Sequence, residues 1–395
     1  MNNRLDNPAA LSDSFSASTV PCRRAAPYPL VLPMVSGACA RRRSHGAVGL
    51  EQMKKELEDW VAAGQSHELR KEAADRVLAC FREKGTVLDL GFLRLSTLPR
   101  CIGDLSSLQS LDVSFNTLTM LPDHTGDLLL LQTLVVSGNH LTALPERIGD
   151  LLLLHTLDLS DNPITQLADE IGDLLSLHTL DVSGNKLTEL PARLGDLSLL
   201  RTLVASGNQL KELPGRLGDL SSLQYLDVSG NALPGLPEEI RSLMSLQILD
   251  LSANRLTALP GCIGDLSSLQ YFDVSDNCLQ DLPDGIGNLL SLQTMDLSNN
   301  KFSELSGAIF NLPLLQLLRL RNNPLAFLSE RLRNLPAFQA YASNQHYLNL
   351  PACRPLFAAG EHRSCTPVQF RSLSLSRSTA GDGSPPVKSI AASGR

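Results

Sequence analysis

Asn116, Asn139, Asn162, Asn185, Asn208, Asn231, Asn254, Asn277, Asn300 and Asn323 stand 23 residues apart without a slip. A polar residue held in that register over ten units marks a chain built by repetition, in which each unit is one small supersecondary element and only a stack of units has a core. The units follow the pattern LxxLxLxxNxLxxLPxxIGDLxx.

The bead from 180 to 200 shows what the pattern demands. In Leu180-Asp181-Val182-Ser183 apolar and polar residues alternate, as a short strand with one buried face requires. Asn185 follows where the chain leaves the strand, and its amide can both donate to and accept from main-chain groups that the turn leaves unpaired. Leu187, Leu190, Pro191, Leu194 and Leu197 carry the return leg, with spacings that suit a helical or 3₁₀ turn facing the same core. Gly195-Asp196 punctuates that leg with a flexible residue and a backbone-bonding carboxylate. One bead cannot bury its own leucines, so the expected fold is an α/β solenoid: a curved parallel sheet on the concave side and short helical turns on the convex side. Parallel strands lie about 4.8 Å apart, so twelve rungs, with degenerate ones at Leu88 and Tyr341, give an arc on the order of 50 Å.

Both ends of such a stack need a cover. At the start Leu93 stands where Asn is expected, and two amphipathic stretches precede it, Leu50 to Ala63 and His67 to Lys84, with Trp60, Val61, Ala73, Val77, Leu78 and Phe81 as apolar positions. They predict a helical cap over residues 48–85, ahead of an array spanning 86–351. At the finish His346 takes the Asn place, and Phe327, Phe338 and Tyr341 add bulk for a closing layer. Residues 1–47 and 352–395 are rich in Ser, Ala, Pro and Arg without periodicity, and are expected to be disordered.

The net charge of −7 is modest, and no segment combines dense Lys and Arg with aromatic residues, which argues against nucleic acid as a partner. The richest apolar runs, Leu128 to Leu131 and Leu151 to Leu154, end at Gln132 and His155, too soon for a membrane span. Eight Cys are scattered without CxxC spacing, as free thiols in a reducing compartment would be. His155 and His178 occupy equivalent places on adjacent rungs, but no further ligand converges on them and no metal is expected. P-loop, GxSxG and HExxH motifs are missing, so neither catalytic residues nor cofactors are expected.

The bead pattern identifies the chain as a leucine-rich-repeat protein of the 23-residue LPxxIGxL kind. The lead-in WVAAGQSHELRKEAADRVLACFREKGTVLDLGFLRLSTLP, residues 60–99, resembles that of bacterial type III secreted effectors of the invasion-plasmid-antigen-H type, through Trp60, Ala73-Ala74-x-Arg76, Cys80, Leu88-Asp89-Leu90 and Leu98-Pro99. That resemblance implies delivery into the host cytoplasm, with residues 1–47 as the export signal. A secretory signal, interrupted here by Pro27, Pro29 and Pro33, and a transit peptide are the other readings of that segment. The ligase activity of such effectors needs a Cys-x-Asp nucleophile motif. Cys353 is followed by Arg354-Pro355 and Cys365 by Thr366-Pro367, so no catalytic residue carries over. The units are longer than those usual in these effectors and match plant-pathogen effectors and plant intracellular Ras-group-related repeat proteins. Three roles follow: an effector binding a host protein; the substrate-recognition part of a ubiquitin ligase whose catalytic part is elsewhere; and a cytoplasmic signalling scaffold.

The residues expected to carry binding project from the concave face. One column reads Asp89, Asp112, Val135, Asp158, Asp181, Val204, Asp227, Asp250, Asp273, Asp296 and Arg319, a carboxylate row turning basic at Arg319 and Arg321. The plain account of these aspartates is that each is tied to its neighbouring Ser. A second column reads Ser110, Thr133, Thr156, Thr179, Thr202, Tyr225, Ile248, Tyr271, Thr294 and Leu317, where Tyr225, Ile248 and Tyr271 interrupt a Thr row and form a contact patch for a protein partner. The chain is expected to be a monomer.

Overall fold

The computed structural model describes residues 49–325 and the strand at 339–342. The segments 1–47 and 352–395, with Phe327, Phe338 and His346, lie outside the described residues.

Two helices, α1 (Leu50–Ala62) and α2 (Arg70–Glu83), open the fold. Twelve strands follow: β1 (Val87–Asp89), β2 (Ser110–Asp112), β3 (Thr133–Val135), β4 (Thr156–Asp158), β5 (Thr179–Asp181), β6 (Thr202–Val204), β7 (Tyr225–Asp227), β8 (Ile248–Asp250), β9 (Tyr271–Asp273), β10 (Thr294–Asp296), β11 (Leu317–Leu320) and β12 (Gln339–Ala342). They form one parallel sheet in sequence order, as right-handed stacking of identical beads produces. From β1 to β11 the register repeats every 23 residues, as in Leu180↔Leu203 and Leu203↔Leu226. The last step is one residue shorter. Arg319 pairs with Tyr341, so the closing rung stands 22 residues on, and Ala340 rather than Tyr341 occupies the register place of Leu88.

A five-residue 3₁₀ turn returns each bead to the next strand, for instance Ala192–Asp196 after Pro191. Proline suits this place because its fixed φ matches the extended residue ahead of the turn, at φ −64° for Pro191, while its carbonyl accepts from Leu194 N–H at 3.0 Å. The Gly of each Gly-Asp has a different reason from the flexibility expected of it. A Cβ on Gly172 would lie 2.6 Å from the Arg193 carbonyl oxygen of the next turn, so glycine lets adjacent 3₁₀ turns pack.

The core is a column of buried leucines, with Phe272, Met295 and Phe302 as its bulkier members toward the C-terminal end. Beside it runs the amide ladder. The Asn185 side chain donates to the carbonyls of Val182 and Ser183 in its own rung and of Leu159 in the rung before, at 3.0, 3.1 and 3.0 Å. Its Oδ1 accepts from Ile164 N–H at 3.1 Å. The same set recurs at Asn116, Asn139, Asn162, Asn208 and Asn254, whose side chains are also buried.

The cap is fastened by a polar clamp. Arg70 donates to the Trp60 carbonyl at 2.7 Å and the Thr97 hydroxyl at 3.0 Å, lies 4.9 Å from the Trp60 ring centroid, and pairs with Glu68 at 3.0 Å. Glu68 in turn accepts from the backbone of Gln65 and Ser96, both at 2.6 Å. This clamp occupies residues where the sequence predicts helix from His67, which is why α2 begins at Arg70. Burial alone would raise the Glu68 carboxyl; the bonds from Ser96, Gln65 and Arg70 overcome it and hold the carboxyl down at about 2.

Two outcomes follow for stability. Asn185→Ala leaves buried carbonyls and the Ile164 N–H without partners and is expected to cost about 3 kcal/mol in urea unfolding, against less than about 0.5 kcal/mol for the exposed neighbour Lys186→Ala. Because the folded Glu68 pKa is depressed, the stability it contributes is full above its ordinary value near 4.5 and is lost as pH falls toward 2. Glu68→Gln should therefore flatten the acid limb of the midpoint-against-pH curve in that window and lower stability at neutral pH.

Candidate functional site

Strands β2 to β8 bury their central residue and leave the residues on either side half-buried on the concave face, as in Tyr225, Leu226 and Asp227; on β9 and β10 the outer Asp273 and Asp296 are buried as well. Register then turns sequence positions into two columns. Tyr225, Ile248 and Tyr271 are direct partners on β7, β8 and β9. Beside them Asp227, Asp250 and Asp273 are likewise in line, continuing to Asp296 and then Arg319. All nine residues expected to carry binding fall on this face or at its end, with exposed Arg321 just past β11 at the place of the recurrent Ser.

The aspartates also build the turn. Oδ1 of Asp112, Asp158, Asp181 and Asp250 accepts from the N–H of the Ser two residues on at 2.9 to 3.0 Å, and from its hydroxyl at 2.6 to 2.7 Å. Asp227, Asp273 and Asp296 accept the same backbone bond at 2.9 Å. One oxygen is thus committed to the bead. Tyr271 Oη donates to the second oxygen of Asp273 at 3.1 Å, and Arg319 meets that of Asp296 at 3.1 Å.

Burial on this half-covered surface pushes the Asp250 carboxyl up to about 6; the Ser252 bonds oppose the rise and the charges of Asp273 and Asp227 add to it. Burial raises Asp181 and Asp273 in the same direction. It also lifts the Tyr225 phenol to about 12, aided by Asp227 and Asp250. Burial raises the Tyr271 phenol in the same direction, so both tyrosines are neutral at physiological pH.

The convex carboxylates are arranged differently. Arg147 bridges Asp127 and Asp150 at 2.8 and 2.9 Å, Arg193 bridges Asp173 and Asp196 at 2.6 and 3.2 Å, and Arg216 bridges Asp196 and Asp219 at 2.7 and 3.0 Å. The outer rail neutralises itself, whereas within the inner run from Asp227 to Asp296 a cation is paired at its last member, Asp296, by Arg319.

The His155 and His178 rings lie 5.1 Å apart, and among the described residues no three His, Cys, Asp or Glu side chains gather in a metal-holding group. Cys80, Cys101, Cys262 and Cys278 are unbridged, and burial raises the Cys101 thiol to about 12 and the Cys262 thiol to about 11, away from nucleophilic character.

The sequence reading passed over one aromatic pair. Phe92 and Phe115 stack with centroids 4.6 Å apart at 16°, both more than half exposed and both at positive φ, where other beads carry Gly, Asp, Asn or Ala. The signal was Phe115 breaking that small-residue position. Gly138 on the next rung makes room for it, since a Cβ there would come within 2.7 Å of the Phe115 ring.

Family models for the leucine-rich repeat match residues 145–230 (leucine-rich repeat region), 222–243, 245–266 and 267–325. With the bead, the parallel sheet and the amide ladder, this settles the class: the chain belongs to the leucine-rich-repeat family. No curated protein sequence matches it. Among solved structures it is similar to the leucine-rich effector protein YopM of Yersinia pestis, at 27% identity over 75% of this chain and 78% of that one, with a TM-score of 0.61. It is also similar to the ectodomain of the plant receptor kinase GASSHO1/SCHENGEN3 of Arabidopsis thaliana in complex with Casparian strip integrity factor 2, at 30% identity, covering 65% of this chain and 32% of that one, with a TM-score of 0.57. The chain thus spans about a third of that receptor ectodomain. InlJ of Listeria monocytogenes, at 24% identity over 70% of this chain and 62% of that one and a TM-score of 0.58, shares the fold. The fold is that of a protein-interaction module, of a family whose arrays are typically non-catalytic. Among the described residues no helix is long and apolar enough to cross a membrane.

Asp250 gives a pH signature. Its folded pKa lies above its unfolded value, so the native state binds the extra proton and the wild type loses stability as pH rises from about 4 to about 6. Asp250→Asn keeps the acceptor for Ser252. It should raise the thermal midpoint at pH 7.5 and leave it nearly unchanged at pH 4.

Proposed function

We propose that this chain is a bacterial type III secreted effector that binds a host protein through the concave face between β7 and β11. The observation that carries the reading is the register match of Tyr225, Ile248 and Tyr271, three bulky side chains side by side in a row that from β2 to β10 is otherwise built from Thr and Ser. Paired aromatics with few rotors, half-shielded from water and flanked by polar groups, are the composition of a binding hot spot. Asp227, Asp250, Asp273 and Asp296 form its acidic rim, and Arg319 and Arg321 its basic end.

The delivery part of the reading is supported by the lead-in around Trp60 and Cys80 and by the similarity to YopM, which extends over most of both chains. Residues 1–47 serve as the export signal, and the site of action is the host cytoplasm. The plant receptor with a bound factor supports the more general point that this architecture grips polypeptides.

The test is affinity capture from host extract with the intact chain and with Tyr225→Ala/Ile248→Ala/Tyr271→Ala. The specific partner should fall by about tenfold or more with the triple variant, and equal recovery by both would refute the patch. A reporter fused behind residues 1–47 should be exported by an injectisome-bearing strain and retained when the injectisome is disabled. Retention in both strains would remove the effector half of the proposal.

A further inference from the structure

Between each 3₁₀ turn and the next strand lies a two-residue turn that faces solvent. Ahead of β2, β7 and β9 it is Ser106-Ser107, Ser221-Ser222 and Ser267-Ser268. Ahead of β3 and β4 both residues are leucine, Leu129-Leu130 and Leu152-Leu153, and Leu175 and Leu199 extend the substitution to the turns before β5 and β6. Their exposures are 57, 45, 58, 43, 56 and 46%. The turn itself does not require them. Leu152 N–H donates to the Asp150 carbonyl at 2.9 Å, as Ser221 N–H donates to that of Asp219 at 2.8 Å. With rungs about 4.8 Å apart the six side chains are contiguous. Half-exposed leucines over four rungs make a patch of a few hundred Å², about the size at which an apolar surface marks a contact.

From this patch we infer that the chain self-associates through the turns preceding β3 to β6, in a two-fold dimer whose occupant is a second copy of the same chain. Charge decides against a lipid surface: residues 101–200, which carry the patch, have 14 acids against three bases, and an anionic membrane would repel them. Charge also sets a register for a second copy. At one place in each 3₁₀ turn the residues read Arg147, Glu170, Arg193 and Arg216. The three arginines bridge aspartates of the rail, whereas Glu170 interrupts it and has no ion pair among the described residues. A two-fold axis between the turns before β4 and β5 brings Arg147 of each copy opposite Glu170 of the other. It also sets Leu152-Leu153 against Leu175, and Leu129-Leu130 against Leu199. The contact is isologous; the same axis also sets Asp150 opposite Asp173 and Asp127 opposite Asp196, so acids meet at its edge beside the Arg147–Glu170 pairs. Its apolar centre is smaller than the roughly 800 Å² per partner of a standard interface, so the dimer is weak and concentration-dependent. Because both copies are acidic, added salt screens their repulsion and tightens it. The proposal departs from the monomer expected from the sequence and is independent of the concave-face reading.

The experiment is sedimentation equilibrium of the full chain from about 1 to about 200 μM, at low and high salt. The wild type should move from monomer toward dimer with rising concentration, more so at high salt. Ser is the residue carried ahead of β2, β7 and β9, whereas Met244, Leu290 and Leu314 stand singly exposed ahead of β8, β10 and β11. Leu152→Ser/Leu153→Ser/Leu175→Ser, which installs that Ser, should keep the circular dichroism and thermal midpoint and weaken association about tenfold or more. Glu170→Arg, which completes the rail, should weaken it about fivefold, and adding Arg147→Glu should restore it. A wild type that stays monomeric throughout, or a leucine variant that associates equally well, would overturn the dimer. Unchanged association of Glu170→Arg would overturn the two-fold register. A monomeric wild type that binds phosphatidylcholine and phosphatidylserine vesicles, with binding lost in the leucine variant, would overturn it in favour of a lipid surface.

Discussion

The leucines of one bead are covered only by those of the beads above and below, and the rest of the molecule answers to that dependence. Coverage requires every rung to have the same thickness, and the amide ladder supplies the gauge. Asn185 reaches back to the Leu159 carbonyl while it closes its own turn on Val182 and Ser183, so a bead cannot shift without breaking bonds on both sides. A polar line inside an apolar stack is tolerable only when each member is satisfied, and here the amide uses both its donor and its acceptor. Glycine on the convex side completes the gauge, because a side chain at Gly172 would hold the next turn away. At the N-terminal end, where the bead has no predecessor, Leu93 and Leu95 N–H both donate to Asn116 Oδ1, and the Arg70–Glu68 clamp seats α1 and α2 on the exposed rung.

Once spacing is fixed from within, the outward positions are released from it, though not equally. The second strand position keeps Asp in most rungs because its carboxylate ties the following Ser, so this column serves the bead before it serves a partner. The first strand position bonds to nothing the bead needs, and Ser, Thr, Tyr, Ile and Leu all occur there. Variation at such a position reports on what lies outside the chain. The turns at Ser221-Ser222 and Leu152-Leu153 close on the same backbone bond, so the backbone does not require the leucines.

Most of the fold was legible because repetition multiplies each signal. The alternation in Leu180-Asp181-Val182, the Asn period and the leucines of the return leg each recur ten times, and their burial recurs with them. The features that escaped are those that depend on neighbours in space rather than in sequence. Glu68 belongs to a clamp closed through Thr97 and Ser96, so His67 to Leu69 read as helix and fold as a turn. Gly172 reads as flexible and is instead a contact point. The closing strand loses one residue against the period, which no local pattern announces. The two concave columns were legible as columns, since register is exact from β1 to β11. Their energetics were not, because they depend on burial and on neighbours in other rungs, as when Arg319 meets Asp296.

Two departures from the background fall in the same rungs. Val135 and Val204 divide the carboxylate column, leaving Asp227, Asp250, Asp273 and Asp296 as its longest unbroken run, and the bulky residues of the other column lie beside the first three of those four. A row of carboxylates one strand spacing apart repels itself, and Arg319 relieves this at one end, while Asp250, in the middle, rises to about 6 mainly through burial, with the charges of Asp273 and Asp227 adding to it. On the convex side the comparable problem is solved internally by Arg147, Arg193 and Arg216. Leaving the concave run unneutralised costs stability that an Arg in a neighbouring column would restore. A basic segment laid across Tyr225, Ile248 and Tyr271 would return that cost as binding energy, which makes the local strain in charge and the aromatic patch parts of one surface.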